Sequence, residues 1–149
     1  PLVRQLDRPG LITLRDEQGR SAHALLLALT PRAATLRLGR DTIDVTLVSL
    51  ANLWQGDFAT YWRAPDGYST ILLPGMRGRA VDALAAQLAT VRGEPAPTAP
   101  AVFDNALRAH LVVFQRAQGL VADGRAGPTT FMQLARAADS AQREPQLLR

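Results

Sequence analysis

The spacing of hydrophobic residues in the second half of the chain predicts three amphipathic helices. Two series of apolar residues repeat every three or four positions, which places each series along one stripe of a helix. The first series is Val81, Leu84, Leu88 and Val91, and the second is Phe103, Leu107, Leu111 and Phe114. A third helix begins at Gly127-Pro128, because the fixed φ of proline suits the first helical position, and Phe131 and Leu134 supply its apolar face. Three short helices of this kind can bury one shared core.

The connection between the second and third predicted helices is short and rich in turn residues. Gly119 is expected to end the second helix in a left-handed conformation, and Leu120 is expected to fold back on the last helical turn. The helix therefore ends near Gln118. Asp123-Gly124 is typical of a tight turn, since aspartate bonds to its own backbone and glycine tolerates positive φ.

Short runs of β-forming residues in the first half predict an antiparallel sheet. Turn residues separate the four clearest runs, which cover residues 11–14, 22–29, 34–38 and 42–47. Further strands are expected over residues 58–63 and 68–73, with one or two helical turns over residues 49–54 capped by Ser49. We therefore expect an α+β protein, in which a small antiparallel β-sheet is followed by a three-helix bundle.

Composition and charge exclude several classes of function. The 149-residue chain is 47% hydrophobic and 20% charged, which is typical of a globular protein. It has no cysteine, so disulfides, thiol nucleophiles and thiolate metal ligands are impossible. Its basic residues are all arginines spread along the chain, and the excess of 17 basic over 13 acidic residues is too mild to indicate nucleic-acid binding. The longest apolar run, residues 24–29, is too short to span a bilayer, so we expect any membrane anchor to lie outside this piece.

The helical half resembles the three-helix peptidoglycan-binding domain of bacterial wall enzymes and wall-anchored proteins. The family pattern FQ-x-x-x-GL-x-x-DG-x-x-GP-x-T falls in register on Phe114-Gln115, Gly119-Leu120, Asp123-Gly124 and Gly127-Pro128-x-Thr130. Two features depart from the family: Phe131 stands where tryptophan is common, and a proline-rich insert covers residues 92–101. The resemblance implies a peptidoglycan-binding domain over residues 74–140, and we expect a C-terminal tail over residues 141–149.

The sheet half is similar to part of the papain-like cysteine peptidase domain of bacteriocin-processing transporters. The similarity rests on Arg8-Pro9-x-Leu11-x-x-Leu14, His23-x-Leu25-Leu26, Leu50-x-x-Leu53-Trp54-x-Gly56-x-Phe58 and Trp62-Arg63-x-Pro65. That family uses a cysteine, a histidine and an aspartate. Only His23 matches here, because Thr35-Leu36-Arg37 stand where an Asp-Pro pair is expected. The resemblance implies a degenerate, inactive peptidase-like sheet over residues 1–73.

Together the two halves resemble the periplasmic part of the type II secretion family called general secretion pathway protein A. The resemblance implies an inner-membrane ATPase whose periplasmic segment grips the wall and, with general secretion pathway protein B, helps place the outer-membrane secretin. We therefore expect non-catalytic peptidoglycan (murein) binding in the periplasm, by a fragment of an inner-membrane protein. Peptidoglycan, protein B and the secretin are the expected partners, and a homo-oligomer stays open. No cofactor, metal ion or nucleic acid is expected.

A surface that holds peptidoglycan needs groups that match its chemistry. Wall stem peptides carry carboxylates and the sugars carry hydroxyl and acetamido groups, so arginines, amides and hydroxyls are suitable partners. Six such residues lie at or beside the predicted helix ends near the motif loops: Arg77, Arg79, Gln115, Asp123, Arg125 and Thr130. Structural roles stay open for three of them, since Asp123 can form a turn, Thr130 can support the last helix and Gln115 can be merely solvated.

Three other interpretations compete with wall binding. A cell-wall hydrolase would need convergent carboxylates, but Glu17, Glu94 and Glu144 lie in a loop, the insert and the tail. A protein–protein assembly module could pair through an exposed sheet edge, including with its own copy. Ser21 and His23 lie on one side of a strand, so they could act as a nucleophile and its base. A histidine in such a place more commonly has a structural role.

The aromatic residues of the middle segment have two interpretations. Trp54, Phe58, Tyr61 and Trp62 could stack against sugar rings. Aromatic side chains in a small sheet usually fill its core, so we expect at least two of the four to pack inside.

Overall fold

The computed structural model describes Val3 and residues 8–143, and it divides the chain into two compact units. The first unit is Pro1–Tyr61 and the second is Trp62–Arg149. The predicted α+β class is confirmed, since the described residues form one four-stranded antiparallel sheet and four helices. Residues 62–73 group with the helices, whereas the sequence had placed them with the sheet.

The first unit is built on an antiparallel sheet whose strands follow one another in chain order. Its strands are β1 (Gly10–Arg15), β2 (Ser21–Leu29), β3 (Ala33–Leu38) and β4 (Asp41–Thr46). Successive side chains alternate between the two faces of a strand. The buried face carries Ile12, Leu14, Ala24, Leu26, Ala34 and Leu36. The four clearest predicted strands are therefore confirmed.

A short helix closes the buried face of the sheet. This helix, α1 (Leu47–Leu53), packs Leu50 against the sheet core. Its cap is Thr46 and not the predicted Ser49, because the hydroxyl of Thr46 accepts a hydrogen bond from the backbone N–H of Ser49 at 3.1 Å. Strand β4 thus runs directly into the helix, and Ser49 lies in the first helical turn.

The strands predicted over residues 58–63 and 68–73 are wrong. Each segment forms only a single isolated bridge, Ala59 with Leu11 and Leu72 with Ala126. Residues that favour β-structure are not enough for a strand, because a strand also needs a continuous neighbour. The turn at Asp66-Gly67 interrupts the pairing before it can extend.

The second unit is a bundle of three helices around one core. The helices are α2 (Arg79–Val91), α3 (Asn105–Ala117) and α4 (Pro128–Arg143). The apolar stripes predicted from the sequence meet in this core, where Leu84, Leu88, Phe103, Leu111, Phe131 and Leu134 are almost fully buried. Helix α4 extends three residues past the predicted domain end at 140, and residues 144–149 of the predicted tail lie outside the described residues.

The ends of α3 are fixed by local hydrogen bonds. Asp104 caps the start, because its Oδ1 accepts from the backbone N–H of Leu107 at 2.8 Å. The end is a left-handed glycine, Gly119, with φ of 68°, and the N–H of Leu120 returns to the carbonyl of Gln115 at 2.9 Å. Both the stop and the backfolding leucine agree with the prediction.

An extended segment before α2 joins the two loops of the helical unit. Leu72 exchanges two backbone hydrogen bonds with Ala126, at 3.0 and 3.1 Å. Further along, Gly75 and Met76 bond to the backbone of Phe103 at 2.8 and 3.0 Å. The segment therefore pins the loop before α4 and the loop before α3 to the same stretch of chain.

Removal of a large core side chain should unfold the helical unit selectively. We expect Phe114→Ala to lower the free energy of unfolding by about 3–5 kcal/mol, because the substitution leaves a cavity at a buried position. Val113→Ala on the same helix is the matched control, since Val113 is 66% exposed and its loss should cost under about 0.5 kcal/mol. Urea denaturation followed by helical circular dichroism measures both. Equal destabilisation by the two substitutions would contradict the packing described here.

Candidate functional site

The loop between α3 and α4 is held by one buried side-chain amide, that of Gln115. Gln115 is only 1% exposed. Its Oε1 accepts a hydrogen bond from the backbone N–H of Gly124 at 3.0 Å. Its Nε2 lies within hydrogen-bonding distance of the Arg125 carbonyl at 2.9 Å, Asp123 Oδ1 at 3.2 Å and Thr130 Oγ1 at 3.4 Å. Because a buried amide must find partners for both its ends, this side chain fixes the loop and the start of α4 together.

The turn at Asp123-Gly124 has the geometry that its residue types require. Asp123 Oδ1 accepts from the backbone N–H of Arg125 at 2.9 Å, so the carboxylate bonds to the chain two residues on. Gly124 has a φ of 69°, a left-handed conformation that costs other residues about 1–2 kcal/mol. Asp123 therefore has the turn-forming role that the sequence left open.

An aromatic cluster packs against the core of the helical unit at the first turns of α4. Phe131 stacks against Trp62 with ring centroids 6.2 Å apart, and Tyr68 meets both rings edge-on at 5.5 and 5.2 Å. Burial raises the pKa of the Tyr68 phenol above its usual value. Phe131 thus provides the aromatic group at the position where the resembled family commonly has tryptophan, and Trp62 enlarges the cluster.

The four aromatic residues considered for sugar stacking have different surroundings. Trp54 and Phe58 pack against the core of the sheet, and the indole N–H of Trp54 donates to the carbonyl of Asp57 at 2.6 Å. Trp62 belongs to the aromatic cluster of the helical unit. Only Tyr61 is fully open, at 98% exposed. The expectation that at least two of the four pack inside is confirmed.

Residues 118–127, between α3 and α4, are called the Gln115 loop. Four of the six predicted site residues are Gln115 itself and three residues within hydrogen-bonding distance of its amide. Gln115 and Thr130 are buried, and their polar atoms bond to each other or to the loop, so they can position a ligand-binding surface without touching the ligand. Asp123 and Arg125 are exposed on that loop. The other two, Arg77 and Arg79, are also exposed but lie at the start of α2.

One residue beside this loop was missed by the sequence reasoning. Arg108 on α3 packs across Gly124, so that a Cβ added at position 124 would lie 2.7 Å from the Arg108 Nε and 2.9 Å from its Cγ. A signal was available, because Arg108 precedes Gln115 by seven residues in the same helix. Residues seven apart share a helical stripe. A side chain on the stripe of Gln115 must therefore face the same loop.

A second polar cluster lies on the sheet, around His23, the one residue that matches the catalytic set of the resembled peptidase. The hydroxyl of Thr13 donates to Asp57 Oδ2 at 2.6 Å, and His23 Nδ1 lies 3.4 Å from the same hydroxyl oxygen. The hydrogen bonds from Thr13 lower the pKa of Asp57 below its usual value, and His23 contributes a smaller electrostatic effect. A threonine thus separates the histidine from the carboxylate, and the cluster ties β1, β2 and the segment after α1 together.

A groove lies beside the proline-rich insert of the helical unit. It has a volume of about 350 Å³ and lies between the insert and helices α2 and α3. Its polar groups bond to one another, since Arg92 donates to Glu94 at 2.5 Å and contacts His110 Nδ1 at 2.7 Å. The groove therefore has fewer free groups for a polar ligand than the Gln115 loop.

Comparisons with known proteins agree on the nature of the helical unit. Residues 77–134 match the family described as "Putative peptidoglycan binding domain", and this range contains α2, α3 and the Gln115 loop. The loop, the first two helices and the start of α4 are thus similar to a peptidoglycan-binding domain.

The whole chain has relatives in type II secretion. It is 33% identical over 132 residues to General secretion pathway protein A of Aeromonas hydrophila, a match that covers 89% of this chain and 24% of that relative. The chain therefore spans about a quarter of the length of that curated relative. A periplasmic domain of the EpsAB fusion protein of the Vibrio vulnificus type II secretion system has a similar structure. That match has a TM-score of 0.58 and 29% identity, and it covers 99% of this chain and 67% of the solved one. The resemblance to general secretion pathway protein A that the sequence predicted is confirmed.

The sheet cluster should make the stability of the first unit depend on pH. The Asp57 pKa is lowered in the folded state, so the associated stabilisation is present above the ordinary value of 3.8 and is lost as pH falls through the lowered pKa. We expect Thr13→Val to raise the Asp57 pKa and to destabilise the unit near neutral pH. The difference from wild type should shrink at acid pH. Carboxyl NMR titration and urea denaturation at several pH values measure this, and an unchanged Asp57 pKa would contradict it.

Proposed function

We propose that this chain binds peptidoglycan in the periplasm without catalysing its cleavage, as the wall-binding region of a type II secretion assembly protein. The observation that carries the proposal is the loop that Gln115 holds rigidly at the surface, within the residues that match the peptidoglycan-binding family. This loop presents an exposed arginine, Arg125, and a guanidinium group can bind a stem-peptide carboxylate through two parallel hydrogen bonds.

The candidate contact residues divide into two groups. Arg77, Arg79, Asp123 and Arg125 are exposed, so we propose that they meet the polymer directly. Gln115 and Thr130 hold the loop from below, as their burial favours. A loop that is already held in one conformation loses less conformational entropy when it binds, so binding is less costly.

The placement of the glutamates is one reason to favour binding over wall hydrolysis. A glycosidase needs two carboxyl groups about 5–9.5 Å apart across a cleft. Glu17 lies in the exposed hairpin turn between β1 and β2, and Glu94 is paired with Arg92. Within the described residues, no group of three metal-ligating side chains occurs either. The remaining glutamate, Glu144, lies outside the described part of the chain.

The relatives support a place in the secretion machine. The names of the two similar proteins connect this chain with general secretion pathway protein A and with a fusion of A and B components. We propose general secretion pathway protein B as a partner and the secretin as the structure whose placement wall binding assists. The described helices include none long and apolar enough to cross a membrane. We further propose that the region is attached to an inner-membrane protein.

An assembly role through the sheet edge is the second candidate. Among the described strands, β4 pairs only with β3, and nearly all its residues are exposed, including Ile43 at 44%. Such an edge can accept a strand from protein B or from a second copy of this chain. Cross-linking between introduced cysteines on β4, with and without wall fragments, distinguishes this role from wall binding.

Sedimentation with purified cell-wall sacculi tests the proposed function. We expect the chain to sediment with sacculi, and Arg125→Ala and Arg77→Ala each to weaken retention about tenfold, since a hydrogen bond to a charged group contributes about 1.5–3 kcal/mol. Circular dichroism should stay unchanged, because both side chains are exposed.

The control is Arg40→Ala, which removes the same charge from an exposed turn between β3 and β4. The turbidity of the suspension provides the enzymatic readout. Soluble fragments released by the wild type would identify a hydrolase, and a wild type that stays in the supernatant would refute wall binding.

A further inference from the structure

Arg108 lies on α3, and its side chain packs across Gly124 of the Gln115 loop. It is exposed on α3, one residue beyond the first turn that Asp104 caps. Its stem crosses Gly124, where the missing side chain leaves the space that Cγ and Nε occupy. The N–H of Gly124 donates a hydrogen bond to Gln115 Oε1 at 3.0 Å, which holds the backbone beneath the Arg108 stem.

The charged end of Arg108 is free, as is that of its neighbour Arg125. Among the described residues, neither guanidinium forms a side-chain hydrogen bond or an ion pair, whereas Arg20 and Arg92 each bond a carboxylate. A well-packed stem with an unpaired cationic end is suited to an external anion.

The free hydrogen-bond donors at this turn suit an anion. Asp123 contributes one negative charge, but its Oδ1 already accepts hydrogen bonds from the Arg125 N–H and from Gln115. Asp104, four residues before Arg108, contributes another, and its Oδ1 is used to cap α3. Arg108 and Arg125 carry guanidinium groups whose fork geometry matches a carboxylate.

We propose that Arg108 and Arg125 together form a carboxylate clamp over the Asp123-Gly124 turn, and that the clamp recognises the peptide stems of peptidoglycan through their carboxylates. This proposal rests on the proposed function and specifies which part of the polymer is bound. It also gives each of three residues at this turn a role. Gln115 bonds the backbone, and the absence of a side chain at Gly124 leaves the space that the Arg108 side chain fills.

Three variants separate charge, fork geometry and packing at position 108. Arg108→Met keeps an apolar stem over Gly124 and removes the charge, so we expect about tenfold weaker retention on sacculi with an unchanged melting temperature. Arg108→Lys keeps the charge but loses the fork and should retain intermediate binding. Arg40→Met is the control for loss of a surface arginine and should bind as wild type.

A second arm of the experiment identifies the recognised group. Sacculi are compared with glycan strands stripped of their stems by an amidase, and a soluble stem peptide with free carboxylates is compared with its fully amidated form. We expect the wild type to lose binding to stripped strands, and only the free-carboxylate peptide to compete with sacculi.

The outcomes distinguish the two proposals. Wild-type sedimentation combined with full binding by Arg108→Met, or with full binding to stripped strands, would overturn the clamp and leave wall binding intact. A wild type that fails to sediment would overturn wall binding, and the clamp with it.

Discussion

The hydrogen bonds of the Gln115 amide are the constraint on which the helical unit depends. A single buried side chain bonds the backbone at Gly124 and Arg125 and reaches the first turn of α4. Leaving those backbone groups buried without partners would cost about 1–3 kcal/mol for each group. The loop is therefore fixed by the same residue that belongs to the core face of α3. The hydrogen bonds of Gln115 therefore contribute both to the stability of the helical unit and to the position of the loop that carries Arg125.

Most of the fold follows from local signals in the sequence. The helix stop at Gly119, the turn at Asp123-Gly124 and the start at Pro128 each depend on neighbours within a few residues, so they could be predicted. The extra strands failed for the opposite reason, since a strand exists only if a distant partner runs alongside it. The capping by Thr46 was missed because the end of β4 and the start of α1 coincide.

The candidate site could be predicted only in part. The motif residues indicated the loop, but whether a polar side chain faces the solvent or the core depends on packing between helices. Gln115 was considered as a solvated residue or a ligand contact, and the structure buries it. Arg108 lies outside the motif, and its proximity to Gly124 becomes visible only when α3 is placed against the loop. The first unit shows the same limit, since Asp57 reaches Thr13 from 44 residues away.

Two buried glutamines allow a direct comparison of what holds the loop. Gln115→Leu removes the amide that holds the loop, whereas Gln133→Leu removes a buried amide whose Nε2 has no hydrogen-bond partner among the described residues. Hydrogen exchange at the Gly124 amide and retention on sacculi are measured for both variants. If the Gln115 amide holds the loop, Gln115→Leu loses Gly124 protection and wall retention while its helices persist, and Gln133→Leu keeps both. Wild-type retention by Gln115→Leu would contradict this role of the amide.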